Sequence, residues 1–322
     1  MKKCCTVLDD YQDVSRDYAD WSTLSEHLSL QVITQHIDSQ SRLVERLKDS
    51  EIIVIMRERT PFDATLLAKL PKLKLLITSG PRNGAIDVAA ASTQGVLVCG
   101  TQAFKQPPTE LTWALILGLS RHIVIENNHF RQGGPWQSNV GLCLSGKTIG
   151  LIGLGAIGER VALIAKAFGM HVLAWSENLT QQRATQLGVE YASSKKALLQ
   201  QSDIVSLHLI PGTRNKGIMG TLEFNQMKPS ALFINTARAA LVDQDAMYDA
   251  LTSGKIAAAG IDVFDIEPLP STHRLRSLDN LLATPHLGYV ADLNYQVYFK
   301  GAVDNIHAYI AGKELAYPLN LN

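Results

Sequence analysis

The sequence predicts an α/β protein built from two doubly wound parallel-sheet domains separated by a cleft. Short apolar runs alternate with helical patterns nearly throughout, as they do in βα units whose strands lie parallel. The chain has 322 residues, which suits two domains of ordinary size. Hydrophobic residues make up 46% of the sequence, so there is enough apolar material for two cores.

The first domain is predicted from four apolar runs with helical segments between them. The helical segments include Ser41–Lys48 and Thr65–Lys69. Each apolar run is short and is bounded by polar or turn residues, which is typical of a buried strand. The predicted strands are Cys5–Leu8, Glu51–Ile55, Leu73–Thr78 and Val96–Val98.

A long helix is expected after a pair of prolines near the end of this region. Pro107-Pro108 is not expected inside a helix, because proline has no N–H donor. Thr109 is therefore predicted to cap one helix that runs from Glu110 to about Asn128. The glycine- and proline-containing stretch Arg131–Ser145 is predicted to be a loop between the domains.

The alternation is more regular in the rest of the chain. Six strands separated by helices match the strand number of a doubly wound dinucleotide-binding domain. A last helix, Asp292 to about Ala311, returns the chain to the first domain after Gly288. We therefore predict one domain of residues 1–102 and 289–322 and another of residues 103–288. The strands predicted in the second domain are Thr148–Ile152, His171–Ala174, Ile204–Leu207, Leu232–Asn235, Ala257–Asp262 and Leu281–Thr284.

A glycine-rich turn is the strongest local signal for function. An apolar strand runs directly into Gly153-x-Gly155-x-x-Gly158, and a helical pattern follows. The first glycine permits a tight turn, the second lets the backbone approach a pyrophosphate, and the third allows close packing of helix and strand. The start of the helix, with Ala156 and Ile157, offers unpaired N–H groups to the phosphates. The motif predicts dinucleotide binding.

The residues after the second strand of this domain bear on the choice of cofactor. A carboxylate is expected there to hold the ribose hydroxyls, but the strand is followed by Ser176 and then Glu177. Serine leaves room for a 2′-phosphate, whereas Glu177 would repel one, and the next basic residue is Arg183. Glu177 either binds the ribose or only caps a turn. The cofactor is expected to be NAD, and NADP is left open.

Three polar residues follow late strands of the same domain. They are Arg238, Glu267 and His286, and the carboxyl ends of parallel strands form the edge at which open α/β sheets bind ligands. Taken singly, each has a structural explanation: a surface ion pair, a residue before a loop proline and a turn histidine. Their shared placement favours a catalytic site.

Together with the glycine turn, these segments resemble the D-isomer-specific 2-hydroxyacid dehydrogenases. The resemblance extends over almost the whole chain, from the Ser79-Gly80 loop to the segment that contains His286. It implies two Rossmann-like or flavodoxin-like domains, of which the split one binds substrate and the other binds NAD(P). It further implies that Arg238 binds the substrate carboxylate and carbonyl, that His286 is the acid/base, and that Glu267 pairs with His286.

The resemblance also implies a set of cofactor contacts and a homodimer. Asp262 is expected to approach the nicotinamide together with His286. The dimer is expected to form through the long helix that starts at Glu110. Further residues expected to line the cofactor are His208, Pro211, Thr236 and Ala237.

The residue types suit reduction of a 2-oxo acid, in which hydride reaches C2 and a proton reaches the developing alkoxide. A histidine titrates near neutrality and suits that proton transfer, and a neighbouring carboxylate stabilises the imidazolium. Arginine offers a planar fork for a carboxylate and a permanent charge for the carbonyl. The nicotinamide supplies the hydride.

One loop departs from the family pattern. Where a Gly-x-Gly loop usually offers N–H groups to the substrate carboxylate, this chain has Ser79-Gly80-Pro81-Arg82, and Pro81 has no N–H. Ser79, Gly80 and Arg82 are predicted to bind substrate, with Arg82 either entering the cleft or facing solvent. In the first case a second anionic group on the substrate is favoured. Arg57 and Arg59 are interpreted as paired surface charges that could add to such a patch.

The sequence thus predicts an NAD(P)-dependent D-2-hydroxyacid dehydrogenase that acts on 3-phosphoglycerate, or on hydroxypyruvate or glyoxylate. The chain ends soon after its last helix, so the additional C-terminal domain of many phosphoglycerate dehydrogenases is expected to be absent. A second class stays open, a non-enzymatic NAD(H)-sensing interaction protein, because some transcriptional corepressors resemble this family and can retain the triad.

Charge and composition exclude several other classes. The 30 basic residues balance the 30 acidic ones, which argues against a non-specific nucleic-acid binder or a polybasic membrane anchor. No signal peptide, membrane-spanning run or paired metal-ligand motif is predicted from the sequence. The four cysteines show no CxxC spacing, so reduced thiols and a cytoplasmic location without metal are expected. The expected partner is a small anionic acid.

Overall fold

The computed structural model describes residues 2–320. The chain divides into two compact units: one runs to Phe104 and resumes at Ala291, and the other is Lys105–Val290. Each unit has its own parallel β-sheet with helices packed against it. The predicted α/β class with two doubly wound sheets is therefore confirmed. Of the predicted split domain, Met1, Leu321 and Asn322 lie outside the described residues.

The first unit contains a five-stranded parallel sheet in the order β2-β1-β3-β4-β5. β3 and β4 are buried along their whole length, which suits strands with helices on both faces. The strands are β1 Lys3–Leu8, β2 Leu28–Val32, β3 Ile52–Ile55, β4 Leu75–Thr78 and β5 Leu97–Cys99; the helices are α1 Ser15–Tyr18, α2 Gln40–Leu47, α3 Ala64–Leu67 and α4 Val88–Thr93, with a 3₁₀ turn at Trp21–Leu24.

One strand of this sheet, β2, was not predicted from the sequence. β2 is an edge strand that pairs only with β1, and its exposed side interrupts the apolar run with Ser29 and Gln31. An edge strand needs fewer apolar residues than a central one, so its pattern is weak. The other four strands lie where they were predicted, within two residues at either end.

The second unit contains a seven-stranded parallel sheet in the order β12-β11-β10-β9-β6-β7-β8. The order reverses between β6 and β9, and the opening at such a reversal is where doubly wound sheets bind ligands. The strands are β6 Thr148–Ile152, β7 His171–Trp175, β8 Glu190–Tyr191, β9 Ile204–Leu207, β10 Leu232–Asn235, β11 Ala258–Ile261 and β12 Leu281–Ala283; the helices are α5 Gln106–Ser120, α6 Ile123–Gln132, α7 Ala156–Ala167, α8 Gln181–Gln186, α9 Lys195–Gln201, α10 Thr221–Phe224 and α11 Gln244–Thr252, with 3₁₀ turns at Ala239–Leu241 and Arg274–Ser277.

The prediction for the proline-rich helix was wrong at both ends. α5 begins at Gln106, so Pro107 and Pro108 lie in its first turn. Backbone N–H groups in the first turn of a helix have no carbonyl partner within that helix, so residues that lack an N–H group fit there. The helix stops at Ser120 rather than continuing, because His122 adopts a left-handed backbone with φ of 51°. α6 then starts as a separate helix at Ile123.

Only six of the seven strands were predicted, since β8 is two exposed residues long.

The last helix, α12 Asp292–Ile310, belongs to the first unit. Its buried face includes Tyr295, Phe299 and Ile306, and it contacts α1 and β4. Asn305, which is also buried, donates to Gly100 O at 3.0 Å and accepts from Ala316 N at 2.7 Å. These contacts fasten the end of the chain to the end of β5.

Candidate active site

The predicted cofactor and catalytic residues of the second unit lie at one edge of its sheet. Each follows the carboxyl end of a strand, and parallel strands bring those ends to the same edge. Gly153, Gly155 and Gly158 follow β6, Ser176 and Glu177 follow β7, and His208 and Pro211 follow β9. Thr236, Ala237 and Arg238 follow β10, Asp262 and Glu267 follow β11, and His286 follows β12.

The three glycines of the turn have different structural reasons. Gly153 has φ of 104°, and a Cβ there would lie 2.7 Å from the carbonyl oxygen of His208. A Cβ on Gly158 would collide with the carbonyl oxygen of Gly153, so these two glycines are needed for packing. A Cβ on Gly155 would meet nothing within 4 Å. Open space therefore lies beside the one glycine at which a ligand's phosphates are predicted to approach the backbone.

The start of α7 fits the same ligand. Gly155 is its N-cap and supplies no side chain to accept from the first N–H groups, which belong to Ala156, Ile157 and Gly158. Such an uncapped helix start, with its positive dipole end, is suited to a pyrophosphate. Gly153 N donates to Trp175 O at 2.9 Å, which places this turn beside the end of β7.

The proposed catalytic histidine and glutamate are in direct contact. His286 Nδ1 lies 2.6 Å from Glu267 Oε2, and Glu267 Oε1 accepts from Phe264 N at 2.8 Å. Both carboxylate oxygens are thus engaged, which holds the imidazole in one orientation. With Nδ1 bonded to the carboxylate, Nε2 is the ring nitrogen through which a proton can pass. His286 itself has a left-handed backbone, with φ of 54°.

Asp262 organises the loop that carries His286. Its Oδ1 accepts from Thr284 Oγ1 and from Leu287 N, both at 2.6 Å, and its Oδ2 accepts from Gly288 N at 2.8 Å. The residue is only 1% exposed, and burial raises the pKa of its carboxyl group. The family resemblance implied a role for Asp262 at the nicotinamide alone. The structure brings it against the Thr284 hydroxyl before His286 and against the backbone N–H groups of Leu287 and Gly288 after it, contacts that no sequence pattern indicated.

Arg238 lies at the same sheet edge, in a short turn after β10. Asn235 braces this turn: its Nδ2 donates to Arg238 O at 3.1 Å and its Oδ1 accepts from Ala237 N at 3.0 Å. Arg238 Nη1 donates to Ala237 O at 2.7 Å. The hydroxyl of Thr236 lies 2.7 Å from that of Thr112 on α5. The contact with Thr112 therefore holds Thr236 in place, and the contact with Asn235 holds Ala237 in place.

The predicted substrate loop lies in the first unit, after β4, and Arg57 supports it. Arg57 Nη1 donates to Ser79 O at 3.1 Å and to Arg82 O at 3.4 Å, and its guanidinium fills the space where a Cβ of Gly80 would project. The interpretation of Arg57 as a surface charge missed this contact, which joins the ends of two separate strands. Gly80 N donates to Thr101 Oγ1 at 2.9 Å, so that N–H is already engaged. The side chain of Arg82 is exposed.

His208 is held as a neutral side chain. Its Nε2 lies 3.0 Å from Ser206 Oγ, and burial lowers the pKa of its imidazole to about 4 from an ordinary value of 6.5. Because the pKa is lower in the folded state, the unfolded chain takes up this proton first as the pH falls. The contribution of His208 to stability is therefore complete above pH 6.5 and is lost as the pH falls towards 4.

Between pH 7 and pH 5 the free energy of unfolding should fall in both the wild type and the His208→Gln variant. We expect the fall to be about 1–2 kcal/mol smaller in the variant. Urea unfolding at the two pH values measures the free energies. His171→Gln removes an exposed histidine of the same unit and should follow the wild type. An identical pH dependence for His208→Gln and the wild type would contradict the assignment.

The described residues form neither a membrane-spanning helix nor a cluster of metal ligands. Within residues 2–320 no helix combines the length and apolar character needed to cross a bilayer. Over the same residues, no three histidine, cysteine or carboxylate side chains gather into a group that could hold a metal ion.

A doubly wound sheet that combines an open glycine turn with a bonded histidine–glutamate pair at one edge defines a dinucleotide-dependent oxidoreductase. The family model described as D-isomer specific 2-hydroxyacid dehydrogenase, NAD binding domain, matches residues 113–288. The chain belongs to the D-isomer specific 2-hydroxyacid dehydrogenase family. The predictions of family, of an enzyme acting on CH–OH donors and of NAD as the cofactor are confirmed.

Relatives and solved structures agree with this membership. The chain is 36% identical over 261 residues to a glyoxylate reductase of Aeropyrum pernix, which covers 78% of this chain and 77% of that protein. It is 35% identical over 253 residues to a D-3-phosphoglycerate dehydrogenase of Methanocaldococcus jannaschii, covering 78% of this chain and 48% of that one. The structure of a phosphoglycerate oxidoreductase from Vibrio cholerae O395 superposes with a TM-score of 0.92 at 37% identity, covering 97% of this chain and 100% of the other.

Proposed function

We propose that the chain interconverts a small anionic 2-oxo acid and its D-2-hydroxy acid, with glyoxylate, hydroxypyruvate and 3-phosphoglycerate as candidate substrates. The observation that carries the proposal is the 2.6 Å contact between His286 and Glu267. It lies at the same sheet edge as the open glycine turn. A proton carrier and a dinucleotide site on one edge are the two parts that this reaction needs.

In the proposed mechanism His286 moves the proton. When bound, NADH supplies the hydride for C2. His286 donates its Nε2 proton to the oxygen on C2 during reduction and takes it back during oxidation. Glu267 fixes the ring and stabilises the imidazolium, and Asp262 holds the loop on which the ring sits. Arg238 pairs with the substrate carboxylate and polarises the carbonyl.

The candidate substrates follow from what the relatives are named for. Relatives covering about four-fifths of this chain include a glyoxylate reductase, a glycerate dehydrogenase and a hydroxypyruvate reductase. The phosphoglycerate dehydrogenases among them are matched over only about half of their own length, as in the 48% of the M. jannaschii protein. The phosphoglycerate oxidoreductase structure from V. cholerae O395 is matched over its whole length, so the phosphorylated acid stays a candidate beside the unphosphorylated ones.

A panel of 2-oxo acids tests the proposal. Glyoxylate, hydroxypyruvate, phosphohydroxypyruvate and pyruvate are each incubated with NADH, and oxidation of the coenzyme is followed at 340 nm. We expect turnover of at least one of them, with the product in the D configuration where C2 is chiral. Tight NADH binding without turnover of any 2-oxo acid would contradict the proposed function and favour a sensing protein.

We propose a cytoplasmic location with no nucleic-acid or membrane partner. All four cysteines, Cys4, Cys5, Cys99 and Cys143, are free thiols, which suits a reducing compartment. Burial raises the pKa of the Cys5 and Cys99 thiols to about 12, so these two stay protonated and unreactive. The balanced charge of the chain supports the absence of a polyanionic partner.

We also propose a homodimer that forms through α6 and the loop after it. This segment exposes large apolar side chains, among them Ile123, Phe130, Trp136 and Val140. Exposed apolar residues grouped in this way mark protein–protein contacts. The loop is bonded to Glu126 on α6, whose carboxylate accepts from Ser138 and Asn139.

We expect the Trp136→Glu variant to be monomeric at micromolar concentration while the wild type is dimeric. The side chain of Trp136 is 81% exposed, so the change should leave the fold of one chain intact. Sedimentation velocity measures the mass. The control, Leu163→Glu, places the same charge at an apolar side chain on α7 that is 69% exposed, and it should remain a dimer. A monomeric wild type or a dimeric Trp136→Glu variant would refute this interface.

A further inference from the structure

A tyrosine that closely follows His286 in the chain packs its ring against the imidazole. The centroids of the Tyr289 and His286 rings lie 5.6 Å apart, and the ring planes meet at 70°. Aromatic rings prefer this edge-to-face arrangement, which adds to the effect of burial. Tyr289 is only 7% exposed, and the side chain of His286 is 15% exposed. The contact therefore lies inside the protein rather than on its surface.

The backbone that carries Tyr289 is held by bonds that do not involve its ring. Leu287 N and Gly288 N donate to the carboxylate of Asp262. The turn is closed by Val290 N, which donates to Leu287 O at 2.8 Å. A Cβ on Gly288 would lie 3.1 Å from Asp262 Oδ2, so the turn approaches this carboxylate closely. The tyrosine ring is therefore placed beside the imidazole from a backbone that has little freedom.

The hydrogen bond between His286 and Glu267 leaves one motion of the imidazole to be restrained. The bond joins Nδ1 to Oε2 and fixes which edge of the ring faces the carboxylate. A contact at a single ring atom still allows the plane of the ring to tilt, and the χ2 torsion of histidine has only a broad preference. A second ring packed against the imidazole restrains this tilt. The tilt decides the direction in which Nε2 points.

We propose that Tyr289 is a positioning residue for His286, whose ring fixes the tilt of the imidazole and so aims Nε2 at the oxygen on C2 of the substrate. This proposal rests on the proposed function, in which His286 carries the proton. Proton transfer needs the donor and acceptor within hydrogen-bond reach, so a tilted ring slows the reaction although the histidine is still present. Tyr289 acts through His286 alone, and the binding of NADH does not depend on it.

Steady-state kinetics of three variants test the contribution of the ring. Tyr289→Leu removes the aromatic ring, and kcat should fall about five- to tenfold. Tyr289→Met, which fills the space with a flexible chain, should show the same fall and provides a second test if the leucine variant folds poorly. Tyr289→Phe keeps the ring and should retain kcat within about twofold. In all three the KM for the 2-oxo acid and the dissociation constant of NADH should stay close to those of the wild type.

The matched control is Phe224→Leu, which removes a ring from another edge-to-face pair in the same unit. Phe224 on α10 contacts Phe233, with ring centroids 5.2 Å apart and planes at 84°. Loss of this ring should lower the urea concentration at half-unfolding but leave kcat within about twofold of the wild type. If kcat fell as far as in Tyr289→Leu, general loosening of the core would explain both losses and the proposal would be wrong.

A double variant shows whether Tyr289 acts through His286. In a His286→Asn background, Tyr289→Leu should cause no further loss of kcat, because the imidazole that the ring positions is absent. A direct contact of Tyr289 with the substrate would instead lower the rate by the same factor in both backgrounds. That result would contradict a positioning role.

A spectroscopic readout does not need turnover. The proton between His286 Nδ1 and Glu267 should give a far-downfield proton resonance in the wild type, and the resonance should be absent from His286→Asn. In Tyr289→Leu it should broaden, because a tilting ring exchanges this proton with water more rapidly. Tyr289→Phe should keep the resonance sharp.

Four results would overturn the proposal: full kcat in Tyr289→Leu, an equal loss in Tyr289→Phe, a loss that multiplies with that of His286→Asn, or an unchanged resonance in Tyr289→Leu. Failure of the proposed function is distinguishable from these. It would appear as a wild type that turns over no 2-oxo acid, and the resonance would then decide by itself whether Tyr289 positions the imidazole.

Discussion

The His286→Asn variant should lose about 10²–10⁴-fold in kcat, the usual contribution of a general acid/base. Asparagine is chosen because His286 has φ of 54°, and asparagine tolerates this left-handed backbone better than alanine does. The loop should therefore keep its bonds to Asp262. Steady-state kinetics measure the loss, and fluorescence titration should show NADH binding close to that of the wild type.

A second histidine provides a matched control for this experiment. His122 also has a left-handed backbone, with φ of 51°, and it lies between α5 and α6, not after any of the strands that carry the predicted site residues. His122→Asn repeats the chemical change and should leave kcat within about twofold of the wild type. If His286→Asn retained full kcat, His286 would not be the proton carrier. If it lost NADH binding as well, its effect would have to be assigned to the cofactor site.

The Gly158→Ala variant should lose NADH binding by about 10²-fold or more and unfolding free energy by about 1–3 kcal/mol. Its Cβ would collide with the carbonyl oxygen of Gly153, and backbone does not yield as a flexible side chain does. The glycine-rich turn, which borders the open space at Gly155, must then deform. Fluorescence titration measures the binding and urea unfolding the stability.

The control for Gly158→Ala is Gly220→Ala in the same unit. The nearest atom to a Cβ at Gly220 is 3.6 Å away, which is ordinary contact, and its backbone is extended. This variant should bind NADH as the wild type does, and it should lose up to about 1 kcal/mol of unfolding free energy because Gly220 is the N-cap of α10, where glycine is preferred over alanine. Normal NADH affinity in Gly158→Ala would show that the turn does not hold the pyrophosphate.

The central strands were predictable because burial on both faces leaves a continuous apolar run. β6, β9 and β10 begin and end at the predicted residues. The strands that were missed, β2 and β8, are edge strands, which leave polar or exposed residues within the run. The break at His122 was also missed. It depends on a left-handed backbone at a residue type with no strong signal for one.

The site was only partly predictable for a related reason. Resemblance implied that Glu267 and His286 pair, and the two side chains are in contact. The contacts of Arg57 with the Ser79 loop and of Asp262 with the His286 loop join residues about 22 to 26 positions apart. No periodicity in a single sequence indicates such a bond, since it depends on which loops the sheet order brings together.

The carboxylate of Asp262 changes what the proposed catalytic histidine depends on. His286 follows β12, a three-residue strand at the sheet edge that is partly exposed along its length. Its loop, however, is bonded to Asp262, which directly follows the buried strand β11. Fraying of the edge strand therefore does not by itself release the histidine. Thermal inactivation should accordingly coincide with global unfolding of the sheet, and the amide protons of Leu287 and Gly288 should be among the slowest to exchange with solvent.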